Sequence, residues 1–93
     1  MGGYTLRIGK KATKDLQELY KSGRKSDIKK VETFFKELKE HPYTGTGQPE
    51  QLKHELSNFW SRRINQKNRL IYSVSENTVT VEVVSAMGHY SDK

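Results

Sequence analysis

Several side chains in the second half of the sequence can take part in acid–base or phosphate chemistry. They are Glu50, Lys53, His54, Arg62, Arg63, Arg69, His89 and Tyr90. Cleavage of RNA by a ribose 2′-hydroxyl requires a base for that hydroxyl, a proton donor for the leaving 5′-oxygen and cations for the developing phosphorane. Glutamate, histidine and arginine can supply these three functions, so RNA cleavage is a hypothesis that the residue types allow.

The length and composition limit the classes of protein to consider. A chain of 93 residues has room for one hydrophobic core, so we expect a single domain over residues 1–93. The absence of cysteine excludes disulfides, thiolate metal sites and cysteine nucleophiles. The sequence has neither the roughly 18 consecutive apolar residues of a membrane span nor the apolar stretch of a secretory signal, so we expect a cytoplasmic protein.

The net charge favours a polyanionic partner. The formal charge is +6, and residues 1–47 hold 11 basic and 6 acidic side chains, whereas residues 48–93 hold 6 and 5. Such an excess on a small surface is typical of nucleic-acid binding. Charged helix faces are usually plain solvated surface, however, so the charge does not identify the partner.

The N-terminal part predicts one strand followed by a helix. Tyr4, Leu6 and Ile8 alternate with polar residues, which is the two-residue period of a strand with one buried face. A helical period then runs over about residues 10–22. Gly23 ends it, because glycine suits the backbone conformation of a helix C-cap.

A second helix is predicted to follow directly. Ser26 and Asp27 are placed to cap its N-terminus, and Pro42 ends it. Its apolar stripe consists of Ile28, Val31, Phe35 and Leu38. Lysines and glutamates cover the opposite face.

The remaining chain predicts a loop and a three-stranded meander. Residues 43–50 hold two glycines and a proline, and a lone Gly-x-Gly is weak evidence for phosphate binding, so we expect a loop without a phosphate cradle. Residues 59–64, 69–75 and 78–86 are rich in β-branched or aromatic residues, and residues 76–77 suit a tight turn. These segments predict three antiparallel strands.

The order of the elements predicts the fold class. A strand, two helices and a meander indicate an α+β domain, with the two helices packed on one face of a twisted antiparallel sheet of about four strands. The other face of the sheet is left free for a substrate.

Three arginines lie on this predicted sheet. Arg62 and Arg63 are adjacent on one strand, so their side chains point to opposite faces. A five-residue connection over residues 64–68 pairs Arg63 with Arg69 on one face, whereas a four-residue connection separates them. For Arg62, a surface or interface salt bridge and a contact with the RNA backbone are equal alternatives.

An ordered set of motifs links the loop, the hairpin and the end of the chain. They read Gly45-x-Gly47-x-Pro49-Glu50-x-Leu52-Lys53-His54-x-Leu56, Phe59-Trp60-Ser61-Arg62-Arg63-Ile64, Arg69-Leu70-x-Tyr72 and His89-Tyr90. Together they resemble the YoeB branch of the RelE-like toxins, over roughly residues 42–90. The first 40 residues share only the expected pattern of elements.

This resemblance implies a fold, an activity and partners. The fold is that of small RelE-like microbial ribonucleases, and the activity is cleavage of messenger RNA on the ribosome, which inhibits translation. The expected partners are a YefM-like antitoxin that covers the active face and a second copy of the chain. On matching positions, the general base is Glu50, the phosphate-binding residues are Arg63 and Arg69, and the acid is His89. Tyr90 would orient or stack a nucleobase.

The other candidates have weaker support. Lys53 and His54 could contact RNA, although a packing role for His54 is an equal alternative. His89 could be a solvated histidine near the end of the chain, but the ordinary histidine pKa of about 6.5 suits a proton donor near neutrality, so a functional role is favoured. No His, Asp or Glu cluster has metal-ligand spacing, so arginines would neutralise the phosphorane, no cofactor is expected, and EDTA should not inhibit.

A different class of function remains open. The same fold could serve as a non-catalytic RNA-binding or ribosome-binding module. Phosphate affinity alone would not require Glu50, whose charge repels RNA, so a base, an acid and two arginines together favour catalysis. Binding to double-stranded DNA is a weaker alternative, because neither helix shows a distinctive set of base-reading donors.

Overall fold

The computed structural model describes residues 3–52 and 58–84 of the chain. Its elements are β1 (Thr5–Ile8), α1 (Lys10–Ser22), α2 (Lys25–Leu38), β2 (Glu50–Gln51), β3 (Phe59–Arg63), β4 (Arg69–Ser75) and β5 (Thr78–Val83). The strands form one sheet in the order β1-β5-β4-β3-β2. Strands β2 to β5 pair antiparallel with their neighbours, and β1 pairs parallel with β5.

The predicted fold class is confirmed, and two details of the sheet differ. The sheet has five described strands rather than about four, because the two-residue β2 is too short to produce an alternating pattern. It is mixed rather than wholly antiparallel, because β1 runs parallel to β5. The direction of β1 depends on the path of the whole chain, which a local hydrophobic period does not encode.

The hydrophobic core lies between the two helices and one face of the sheet. Its buried members are Ala12, Leu19, Val31, Phe34, Leu38, Ile64, Leu70, Tyr72, Val79, Val81 and Val84. Phe34 is fully buried, whereas the predicted Phe35 is only partly buried and packs at the edge of the core. Ile8 is 37% exposed, contrary to its predicted burial, because it is the last residue of an edge strand.

The helix ends confirm one predicted cap and correct the other. Gly23 adopts the left-handed conformation with a φ of 73° and ends α1 as predicted. Helix α2 begins at Lys25 with no side-chain cap, so the predicted capping by Ser26 and Asp27 is wrong. The buried Asp27 carboxylate instead accepts a hydrogen bond from Asn65 Nδ2 at 3.0 Å, which ties α2 to the β3–β4 connection.

The sheet face that points away from the helices carries a second, small apolar cluster of Leu52 and Ile71, with Phe59 packed against it.

The predicted turn at residues 76–77 is present between β4 and β5. Strand β5 ends at Val83, earlier than the predicted residue 86, and residues 85–86 lie outside the described part. Neither described helix combines the length and the apolar character needed to cross a bilayer.

Candidate active site

The register of the β3–β4 hairpin brings two arginines together. Arg63 stands directly opposite Arg69 in the antiparallel ladder, so both side chains project from the same face of the sheet. This pairing is the one that a five-residue connection predicts. Arg63 is exposed and Arg69 is half-buried, so both are accessible from that face.

The side chain of Asn65 holds this connection in place. Its Oδ1 atom accepts hydrogen bonds from the backbone N–H groups of Lys67 and Asn68, both at 2.8 Å. The Ile64 N–H donates to the Asn68 carbonyl at 3.0 Å and closes the turn. Because the turn fixes the hairpin register, Asn65 indirectly determines that the two arginines meet.

Glu50 is brought beside the arginines by the short strand β2. It pairs with Ser61, which lies two residues before Arg63 on the same face of β3. Residues in this diagonal relation lie about 7–8 Å apart, so the long side chains of Glu50 and Arg63 can reach each other. Glu50 is exposed, so it can meet a substrate lying over the face.

These side chains line one small cleft. Its lining residues are Gln48, Glu50, Ser61, Arg63 and Arg69. The cleft has a volume of about 20 Å³, enough for about one water molecule. A phosphodiester would therefore lie across the cleft rather than inside it. There, two guanidinium groups can donate to its oxygens while a carboxylate accepts a proton.

Sequence reasoning missed two residues of this cleft. Gln48 lies in the glycine-rich loop and has a left-handed φ of 54°. Ser61 is buried directly opposite Glu50. Recognition of β2 as a strand would have revealed Ser61, because the pairing of Glu50 with β3 then follows from the sheet.

The predicted contact between Arg62 and RNA is corrected by the structure. The side chain of Arg62 is 0% exposed, because its face of β3 packs against the core. All three of its guanidinium nitrogens donate hydrogen bonds within the protein. The acceptors are the Glu37 carboxylate, the carbonyl oxygens of His41, Thr44 and Thr46, and the Tyr72 hydroxyl.

The glycines of the preceding loop serve close packing around this buried arginine. Gly45 and Gly47 have φ values of 125° and 87°, which favour glycine. A Cβ at Gly45 would collide with the Glu37 carboxylate, and one at Gly47 would lie 2.6 Å from Cζ of Phe34 and 3.2 Å from Cβ of Arg62. Their place in the motif therefore reflects packing of the loop against α2 and β3.

The hydrogen bonds around Arg62 shift two pKa values. Burial alone raises the pKa of Glu37, but hydrogen bonds from Thr46 and Arg62 and the charge of Arg62 outweigh it, so the pKa lies below its ordinary value of 4.5. Burial raises the pKa of Tyr72 above 10.0, against a smaller opposite effect of Arg62. The neutral Tyr72 hydroxyl therefore donates to the Pro42 carbonyl at 2.5 Å at physiological pH.

Removing the buried cation should strongly destabilise the fold. We expect Arg62→Met to lower the free energy of unfolding by about 3 kcal/mol or more, because the Glu37 carboxylate and three loop carbonyls would lose their donor. Urea unfolding followed by circular dichroism measures this loss. Lys11→Met, which removes the 63% exposed partner of the other described ion pair, should change stability by at most about 1 kcal/mol. Similar losses for both variants would contradict the prediction.

The lowered pKa of Glu37 predicts how stability depends on pH. A carboxyl group with a lowered folded-state pKa contributes stability that is present above its unfolded pKa and is lost as the pH falls through the folded value. Wild-type stability should therefore decrease below about pH 4.5, and Glu37→Gln should lack this part of the decrease. Unfolding curves between pH 3 and 7 measure the difference. Parallel pH profiles for both proteins would contradict it.

The other predicted site residues lie outside the described part of the chain. They are Lys53, His54, His89 and Tyr90, and their assigned roles stay predictions. Across residues 3–52 and 58–84, no group of three or more His, Cys, Asp or Glu side chains is placed to hold a metal ion.

Comparison with known proteins decides the family. The family described as YoeB-like toxin of bacterial type II toxin-antitoxin systems matches residues 9–90. The chain belongs to this family. The YoeB toxin of Escherichia coli K12 is 43% identical over 54 residues, which make up 58% of this chain and 64% of that toxin, so the aligned part covers somewhat less than two thirds of the relative.

Solved structures of YoeB proteins share this fold over most of the chain. The YoeB dimer from Staphylococcus aureus matches with a TM-score of 0.74 and 27% identity, over 89% of this chain and 95% of that one. YoeB in the YoeB-YefM complex from Staphylococcus aureus matches with a TM-score of 0.73 and 28% identity, over 88% and 94%. The sequence resemblance to YoeB toxins is thereby confirmed, and the family match over residues 9–90 extends it to the two helices, where no motif was recognised.

Proposed function

We propose that this YoeB-like toxin is a metal-independent endoribonuclease that cleaves messenger RNA on the ribosome and so inhibits translation. The observation that supports this most strongly is the pairing of Arg63 with Arg69 beside Glu50. Like charges directly opposite each other on paired strands destabilise a sheet. Packing therefore does not account for the pair, whereas binding of an anion does.

In the proposed reaction, the Glu50 carboxylate removes the proton of the ribose 2′-hydroxyl, whose oxygen attacks the adjacent phosphorus. Arg63 and Arg69 neutralise the phosphorane with charge-assisted hydrogen bonds. The bond from phosphorus to the 5′-oxygen breaks, and His89 gives this oxygen its proton. Tyr90 stacks on or orients a nucleobase, and Lys53 and His54 contact the RNA backbone. The products are a 2′,3′-cyclic phosphate and a 5′-hydroxyl end.

The proposal includes a protein partner. The Staphylococcus aureus relative forms a complex with YefM and is also known as a dimer. We propose that a YefM-like antitoxin covers the same sheet face in this toxin, and that the free toxin forms a homodimer in the cytoplasm. The exposed Glu50 and Arg63 offer both signs of charge to such a partner.

Analysis of the new RNA ends tests the reaction class. The toxin is treated with EDTA, dialysed and added to ribosomes programmed with a defined messenger RNA, since ribosomes themselves require magnesium. The proposal expects undiminished cutting and a cyclic or open 3′-phosphate on the upstream fragment. Ribosome binding without cutting would point instead to a non-catalytic binding module, and loss of cutting after EDTA would contradict metal independence.

A further inference from the structure

The burial of Arg62 requires an explanation beyond stability. Arg62 and its partner Glu37 form an ion pair in which the arginine is fully buried and the glutamate side chain is 20% exposed. Burial of an ion pair costs desolvation energy, and apolar residues of similar size often stabilise a fold equally well or better. A role of this ion pair other than stability is therefore worth seeking, and the groups that hydrogen-bond to it indicate what that role is.

These neighbours belong to the irregular segment of residues 41–48. Arg62 Nη2 donates to the carbonyls of His41 and Thr44 at 3.1 and 2.8 Å, and Nη1 donates to that of Thr46 at 3.3 Å. Glu37 accepts the Thr46 backbone N–H at 2.9 Å and the Thr46 hydroxyl at 2.8 Å. One ion pair thus fixes three carbonyl groups and one amide of a segment that lacks regular secondary structure.

The same segment leads directly into the cleft. Gly47 directly follows Thr46, the last residue bound by the ion pair, and its carbonyl accepts a hydrogen bond from the Arg63 N–H at 2.8 Å. Gln48 then lines the cleft, and Glu50 pairs with Ser61. Only three residues separate Thr46 from Glu50, so a displacement of Thr46 shifts the carboxylate relative to the arginines.

We propose that Arg62 is a positioning residue, which acts with Glu37 to set the place of Glu50 relative to Arg63 and Arg69. The inference rests on the proposed function. Two adjacent residues of β3 thereby have different roles: Arg63 projects toward the substrate, and Arg62 holds the segment of residues 41–48, which leads to the base Glu50. A lysine would not replace Arg62, because the acceptors lie on several sides of a planar guanidinium and one ammonium cannot reach them all.

The test compares variants of the Arg62–Glu37 ion pair, here called the clamp, with a variant of a core residue in a different region. Arg62→Lys keeps the positive charge but loses the planar guanidinium with its several N–H donors. Glu37→Gln removes the negative charge of the partner. Val79→Ala truncates a fully buried side chain on β5 and leaves the clamp intact. Each variant is assayed at a temperature at which circular dichroism shows it folded. The readouts are the maximal cleavage rate, the half-saturating concentration of programmed ribosomes and the hydrogen exchange of the Thr46 and Arg63 amides.

Positioning predicts a selective loss of rate. Arg62→Lys and Glu37→Gln should lower the maximal rate by about 10- to 100-fold, the cost of a misplacement near 1 Å, with little change in half-saturation. Exchange at both amides should accelerate. Val79→Ala should keep the wild-type rate and exchange at these amides. A wild-type maximal rate in Arg62→Lys, or a rate loss in Val79→Ala as large as in the clamp variants, would overturn the proposal.

The exchange measurement separates this inference from the proposed function. If the wild type does not cut RNA at all, the proposed function fails, and amide exchange then decides whether Arg62 fixes the segment. Unchanged exchange at Thr46 and Arg63 in both clamp variants overturns the positioning role whatever the activity. Accelerated exchange in both, absent from Val79→Ala, supports it.

Discussion

Replacement of Glu50 by glutamine is expected to lower the rate of messenger RNA cleavage by about 100-fold or more, the usual contribution of a general base. The amide is nearly isosteric with the carboxylate but cannot accept the proton of the 2′-hydroxyl. Since Glu50 is exposed, the substitution should change the free energy of unfolding by no more than about 0.5 kcal/mol. Cleavage rates on programmed ribosomes and urea unfolding measure the two quantities.

A second glutamate provides the control for this experiment. Glu32 is exposed on α2, which packs on the opposite face of the sheet from the cleft. Glu32→Gln makes the same change of net charge and should leave cleavage unaffected. If Glu50→Gln cuts as fast as Glu32→Gln, Glu50 is not the base. If both variants lose activity equally, the effect comes from overall charge.

Loss of either paired arginine is expected to have a comparably large effect. Arg63→Met and Arg69→Met should each lower the maximal cleavage rate by about 100- to 1,000-fold, because each removes a cation that stabilises the developing phosphorane. The double variant should be less impaired than the product of the single effects predicts, because both arginines act on one phosphate. Single-turnover cleavage of ribosome-bound messenger RNA measures these rates.

Arg63→Met and Arg69→Met should not lose stability, although both lose cleavage rate. Arg63 and Arg69 repel each other across the ladder, so removal of one charge should leave the free energy of unfolding unchanged or raise it by a few tenths of a kcal/mol. Arg24→Met, which removes an exposed arginine at the start of α2, serves as the control for net charge. Active Arg63 and Arg69 variants, or a rate loss in Arg24→Met of the same size, would contradict the assignment.

The elements with a clear hydrophobic period were predictable from the sequence. Helix α1, strand β4 and the turn between β4 and β5 lie where the pattern places them. The sequence left the pairing of Arg63 with Arg69 open, because it depends on whether the connection has five residues or four, and the structure has the five-residue register. A one-residue difference there would have reversed the face of every side chain on one strand.

The role of Arg62 was predictable only in part. Its neighbours at two residues on either side are Trp60 and Ile64, both of which pack in or against the core, so the alternation already places Arg62 on the core face. The acceptors that make this burial tolerable could not be deduced from the sequence. They are backbone carbonyls and a carboxylate brought from 16 to 25 residues away by the fold.

Strand β2 was not predicted from the sequence, because a segment this short has no hydrophobic period. Two residues after a glycine-rich loop give no periodic signal, and β2 exists because β3 offers an edge for it to pair with. The parallel pairing of β1 with β5 is likewise a consequence of the tertiary path. Tertiary structure therefore brings the Glu50 carboxylate beside the arginine pair.

The central claim is that Glu50 and the paired arginines act with His89 on one phosphodiester. The most direct test is to map the ends of a defined messenger RNA on programmed ribosomes after incubation with wild type, Glu50→Gln and His89→Ala. Cutting by wild type with cyclic or open 3′-phosphate ends, and its loss in both variants, is the predicted result. Cutting that persists in either variant, or ribosome binding by wild type without any new ends, would contradict the claim.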